Sequence, residues 1–154
     1  MTVIQKTNLK ELYDQDDNLW LEETVKLLKE NRFNELDLEN LIEELESLAR
    51  RDKLAMASLL EQVIRHLLLI EYWHDERERN YRHWRSEITS FRGQLNRRIT
   101  TNLYNYLINN LNIIYEDARL YVMDKSALNT FPDNCPYELT QLLDKLWFPV
   151  EIDD

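Results

Sequence analysis

A chain of 154 residues with one glycine and three prolines lacks the turn residues that sheets and tight hairpins need, and so points to long helices joined by few loops. A hydrophobic content of 44% excludes wholesale disorder, and the length suits one domain with a core of its own. The formal charge of −10 argues against nonspecific binding to nucleic acid.

In chain order, residues 1–12 are weakly patterned and are expected to be loose, with a single all-helical domain over 13–150 and a tail at 151–154. Asp17 is the expected N-cap of a first helix whose apolar positions are Leu19, Trp20, Val25, Leu27 and Leu28. Asn31 suits a left-handed helix end. Asp37 then caps a long run, 38–73, free of glycine and proline. There Leu38, Leu41, Ile42, Leu45, Leu48, Ala49, Met56, Leu59, Val63, Leu67 and Ile70 return every three or four positions and share one helix face. The polar stretch Arg50-Arg51-Asp52-Lys53 interrupts that stripe, and the pattern fits either a continuous helix or a break there.

Residues 75–80 carry no apolar side chain and read as a connection. A helix over 82–98 follows, with Trp84, Ile88, Phe91, Leu95 and Ile99 inward. Thr100-Thr101-Asn102 punctuates the chain before another amphipathic run from Leu103 to about Ala127. Cys135-Pro136 resembles a helix start, with proline at the first helical position of a short helix ending near Leu143. The pair Trp147-Phe148 is expected to tuck onto the bundle, because adjacent aromatics are costly to leave in water. The fold class expected is therefore all-α, a bundle of long amphipathic helices plus a short C-terminal one.

The charge is unevenly spread. Between Arg77 and Arg98 stand seven arginines against two acids, while both ends are acidic. Such a belt either pairs with the acidic N-terminal third or holds an anionic ligand. The single Cys135 excludes an internal disulfide and suits a reducing compartment. The first twenty residues hold Asp14, Asp16 and Asp17 and no apolar stretch of signal-peptide type, so a cytoplasmic location is expected. No apolar run is long enough to span a bilayer.

Catalytic signatures are sparse. One glycine excludes a glycine-rich phosphate loop, no Cys/His set has zinc spacing, and no nucleophile has a base beside it. Glu71-x-x-His74 is half of the ligand pattern of di-metal bundles, but the other two histidines are preceded at three residues by Val63 and Asn80. No cofactor is therefore expected. Four polar or aromatic residues remain as a candidate binding cluster. Glu44 lies at the edge of the apolar stripe, placed to pair with an arginine. His66 stands on that stripe, and Trp84 and Arg92 share the helix of the basic belt. Each also has a structural reading: Trp84 as core, His66 as a hydrogen-bonded helix contact, Arg92 as an internal partner for a group such as Glu44.

Several segments together resemble a bacterial family called domain of unknown function 29. They are Tyr13-x-x-Asp16-x-x-x-Trp20, then Leu36-Asp37-x-Glu39-Asn40-Leu41-Ile42-Glu43-Glu44-Leu45-Glu46-Ser47-Leu48, and His66-Leu67-Leu68. Trp84-Arg85-x-x-Ile88 with Phe91-Arg92, Ala118-Arg119, Phe131-Pro132-x-x-Cys135-Pro136-Tyr137, Leu142-Leu143-Asp144 and Phe148-Pro149 follow. The chain has Leu69-Ile70 where the family tends to carry a lysine and an aromatic. The resemblance implies an all-helical fold and no established activity, and the family's polar motif positions map onto Glu44, His66, Trp84 and Arg92. The leading expectation is a noncatalytic module that presents a helix face to a protein partner or to its own copy. The alternative is a small-ligand or anion-binding protein with a polar pocket between helices.

Overall fold

The computed structural model describes residues 6–150. Six α-helices and one 3₁₀ turn account for most of them: α1 (Lys6–Gln15), α2 (Asp17–Lys29), the turn Phe33–Glu35, α3 (Leu38–Tyr72), α4 (His74–Arg98), α5 (Thr101–Ser126) and α6 (Leu139–Leu143). Among the described residues there is no strand, and no helix is long and apolar enough to cross a membrane. The protein is all-α, as its scarcity of turn residues requires. It falls into two compact units, one up to Arg51 and one from Asp52 onward.

The first unit holds α1, α2, the 3₁₀ turn and the start of α3. Helix α1 occupies 6–15, where a loose segment over 1–12 was expected; residues 1–5 of that segment, and the expected tail at 151–154, lie outside the described residues. The N-cap of α2 is Asp16 rather than Asp17. Its extended backbone turns the carboxylate onto the Leu19 N–H at 3.0 Å, and Asp17 becomes a first-turn acid near the positive helix end. Asn31, at φ 57°, adopts the left-handed conformation after α2. Arg32 closes the turn by donating to Glu35 at 2.5 Å and Glu30 at 2.7 Å. The core is small: Leu9, Trp20, Leu27 and Leu36 are buried, with Leu12, Tyr13 and Leu41 packed against them. Of the five apolar positions expected inside α2, only Trp20 and Leu27 are buried, joined by Thr24, while Leu19, Val25 and Leu28 face solvent.

The second unit has the larger core. Met56, Leu60, Val63, Ile64 and Leu67 to Ile70 of α3 pack with Tyr81, Trp84, Ile88 and Leu95 of α4 and with Leu107, Ile114, Tyr115, Ala118 and Val122 of α5. Helix α3 runs unbroken through Arg50-Lys53, because four polar residues on an exposed stretch remove no backbone hydrogen bond. Helix α4 begins at His74, so 75–80 is helical and not a connection. Asp75 and Glu76 favour the positive end of α4, and Arg77 donates to the carbonyls of Ile70 (2.5 Å) and Glu71 (2.8 Å), closing the end of α3. Thr100 caps α5 through its hydroxyl, and Ala127 ends it at φ 59°. Helix α6 starts after Glu138, in a capping box with Gln141. The start expected at Cys135-Pro136 is therefore displaced by three residues. Trp147 and Phe148 pack on this core as expected.

Candidate functional site

The four residues singled out from sequence occupy different surroundings. Glu44 belongs to the first unit, where it is half-buried and accepts the Tyr13 hydroxyl at 2.7 Å. Its partner is a phenol and not the expected arginine. That hydrogen bond, and the charge behind it, pushes the Tyr13 hydroxyl up to about 12.

His66, Trp84 and Arg92 belong to the second unit. The His66 ring donates from Nδ1 to the Gln62 carbonyl at 2.6 Å and lies 5.7 Å from the Phe91 ring. Desolvation lowers its pKa from the ordinary imidazole value, against the raising effects of the Gln62 bond and Glu87. Trp84 is buried and stacks on Trp73 with centroids 6.0 Å apart. Arg92 is fully buried. It donates to three backbone carbonyls of the C-terminal segment: Leu142 at 2.9 Å, Trp147 at 2.7 Å and Gln141 at 3.0 Å. Its guanidinium also lies 5.0 Å from the Phe148 ring. Burial lowers its pKa to about 10, which leaves it cationic at neutral pH. Among the described residues, no hydrogen bond, ion pair or ring contact joins His66, Trp84 and Arg92 to one another.

The Glu71-x-x-His74 pair is also occupied internally. The Glu71 carboxylate accepts the Tyr137 hydroxyl at 2.6 Å, and the His74 ring donates to the Glu71 carbonyl at 2.8 Å. Burial and that carboxylate together raise the Tyr137 pKa well above the usual phenol value. Among the described residues, no group of three or more His, Cys, Asp or Glu side chains could hold a metal ion.

A different feature stands open to solvent. In the first unit α3 exposes Leu38, Ile42, Leu45 and Leu48, each between 52% and 57% accessible. At helical spacing these four fall within one arc, with Glu44 on one flank, Glu39 and Glu46 on the other, and Glu43 on the far side of the helix. From Leu38 to Ala49 the helix carries no basic residue. Beside Glu44 opens a cleft of about 430 Å³ lined by Tyr13, Asp14, Gln15, Asp17 and Glu44. The stripe that predicts a buried face over the whole of α3 is thus buried only from Met56 onward. Among the described residues, the first unit exposes nine large apolar side chains and buries four.

Sequence reasoning missed the partners. Tyr13 with Glu44, Asp37 with Trp20 (3.3 Å from the indole N–H) and Tyr137 with Glu71 are separated by 31, 17 and 66 residues. No local pattern reports contacts of such range. The acidic flanking of the exposed arc was readable, since it needs only helical spacing and charge.

No curated protein and no solved structure matches the chain. A family model, Domain of unknown function DUF29, matches residues 12–148. That match covers all the described helices but the first half of α1 and, Pro149 apart, the segments quoted above, and the chain is therefore a member of the DUF29 family.

Proposed function

We propose that this protein is a noncatalytic helical interaction module whose first unit offers the exposed arc of α3 to another protein. The observation that carries this reading is the row Leu38, Ile42, Leu45 and Leu48, half or more accessible on a helix whose later turns are buried. Apolar side chains at that spacing are what a partner helix would cover. The alternative, an anion-binding pocket, needs guanidinium donors aimed at a cavity, and Arg92 directs three of its N–H groups at carbonyls of its own chain.

The test compares the wild type with Leu45→Glu. Leu45 is 57% accessible, so a glutamate there leaves the fold intact. Light scattering on the purified chain and capture from a native extract are the readouts. The wild type is expected either to self-associate or to retrieve a protein that Leu45→Glu does not. A strict monomer whose retrieved proteins are identical in both forms would overturn the reading.

A further inference from the structure

We propose that the exposed arc of α3 is the two-fold interface of a homodimer, in which a second copy of the chain lays its own α3 antiparallel on the first. This rests on the interaction reading above and names the partner. The apolar row Leu38, Leu41, Leu45 and Leu48 follows spacings of three, four and three, as at the a and d positions of a helix seam. Leu41 packs on the first unit's core, and Leu38, Leu45 and Leu48 remain exposed. Glu44 and Arg51 stand seven positions apart and line one edge of that row, while Ile42 and Ala49 line the other.

Charge selects the occupant. Arg51 is exposed, and among the described residues it has no hydrogen bond, ion pair or ring contact. Glu44 accepts the Tyr13 hydroxyl at Oε1, which leaves Oε2 for a second donor. Beside it opens the cleft of about 430 Å³, whose lining includes Asp14 and Asp17 and no base. An uncompensated guanidinium and an uncompensated acidic cleft therefore share one edge of one helix, about 10 Å apart along its axis. A two-fold axis lays that edge against itself in reverse order, so Glu44 of each copy meets Arg51 of the other.

The same axis closes the apolar row. With Glu44 against Arg51, Leu45 of each copy faces Leu48 of the other, and Ile42 faces Ala49 on the opposite edge. The three pairs share nearly one midpoint along the helix. The seam ends at the next layer, because Leu41 turns into its own core and Asp52 stands opposite it. Sliding the copies by one heptad, to face Leu41 with Leu45, would set Glu44 against Glu44. A parallel pair in register would leave Arg51 without a carboxylate. Two leucine layers make a small seam, so the dimer is reversible.

The test is sedimentation equilibrium on the full chain over a range of concentrations. The wild type is expected to pass from monomer to dimer, and the dimer to weaken as salt is added. Leu45→Glu is expected to abolish it. Arg51→Glu is expected to weaken it on the order of ten-fold or more. Arg50 points away from the seam toward Glu43 and Glu46, so Arg50→Glu is expected to change the dimer by no more than about two-fold. Equal losses from Arg50→Glu and Arg51→Glu would overturn the antiparallel pairing, since the effect would then be net charge alone. A dimer that Leu45→Glu leaves intact would overturn the seam. A chain that stays monomeric, yet retrieves from a native extract a protein that Leu45→Glu loses, would overturn the homodimer and leave the interaction reading in place. A monomer whose retrieved proteins Leu45→Glu does not change would overturn both.

Discussion

A buried guanidinium with three carbonyl acceptors holds a chain segment as a clamp does. Arg92 joins α4 to the C-terminal run through Gln141, Leu142 and Trp147, none of which lies in a long helix. Removing it leaves those oxygens without their donor, and hydrogen bonds to charged groups contribute about 1.5–3 kcal/mol each when broken singly. Arg92→Met is expected to lower the unfolding free energy by about 3 kcal/mol or more, read from urea denaturation. Arg92→Lys is expected to recover little, because one ammonium cannot span three carbonyls set for a planar fork. A loss below about 0.5 kcal/mol, the range of ordinary surface changes, would show that the clamp contributes nothing.

His66 carries a second residue-scale prediction. Its pKa is depressed in the folded state, chiefly by desolvation, so the unfolded chain binds the proton more readily. The stability it contributes is present above the unfolded value near 6.5 and is lost as pH falls through the lower folded value. The urea midpoint is expected to be lower at pH 5.5 than at pH 7.5, with a smaller difference in His66→Gln. An identical pH dependence in the two proteins would exclude His66 as its source. The structural readings of Trp84 as a core residue and His66 as a helix contact, set beside their reading as a binding cluster, both follow from position on an apolar stripe. The carbonyl partners of Arg92 lie about fifty positions away, beyond anything periodicity can report.

At the scale of elements, apolar spacing located α2, α3, α5 and most of α4, and missed α1, whose buried side is little more than Leu9, and the start of α4. The first two turns of α4 contain no apolar residue until Tyr81, so hydrophobic periodicity is blind to them. What builds them is first-turn acid and the Arg77 contacts to the end of α3. The same logic explains Arg50-Lys53, where polarity marks exposure and not a break. Helix α4 also holds the one glycine. A Cβ added at Gly93 would meet no atom within 4 Å, and its φ is not in the left-handed region. Gly93→Ala is expected to stabilise by about 0.5–1 kcal/mol through the unfolded chain's lost freedom, a rise in Tm of about 1–4 °C. A fall in Tm would mean that the helix needs backbone freedom at that point.

For the molecule as a whole, α3 shows how one regular element can serve two purposes. Its sequence carries the same apolar spacing on both sides of Arg50-Lys53, yet Met56, Leu60, Val63, Ile64 and Leu67 to Ile70 are buried in the second unit while Leu38, Ile42, Leu45 and Leu48 stay more than half accessible. Spacing dictates which side of a helix is apolar. Whether that side is covered depends on what other elements the chain can bring to it, and among the described residues the first unit buries only four large apolar side chains. Local stability follows buried area, so amide hydrogen exchange should be graded along this single helix. Amides from Leu41 to Arg51 are expected to exchange roughly ten-fold faster or more than those from Leu60 to Ile70, a difference of about 1.4 kcal/mol in opening free energy. Uniform protection along α3 would mean that the exposed turns are held by something other than side-chain burial, and the contrast between the two halves of the helix would lose its energetic basis.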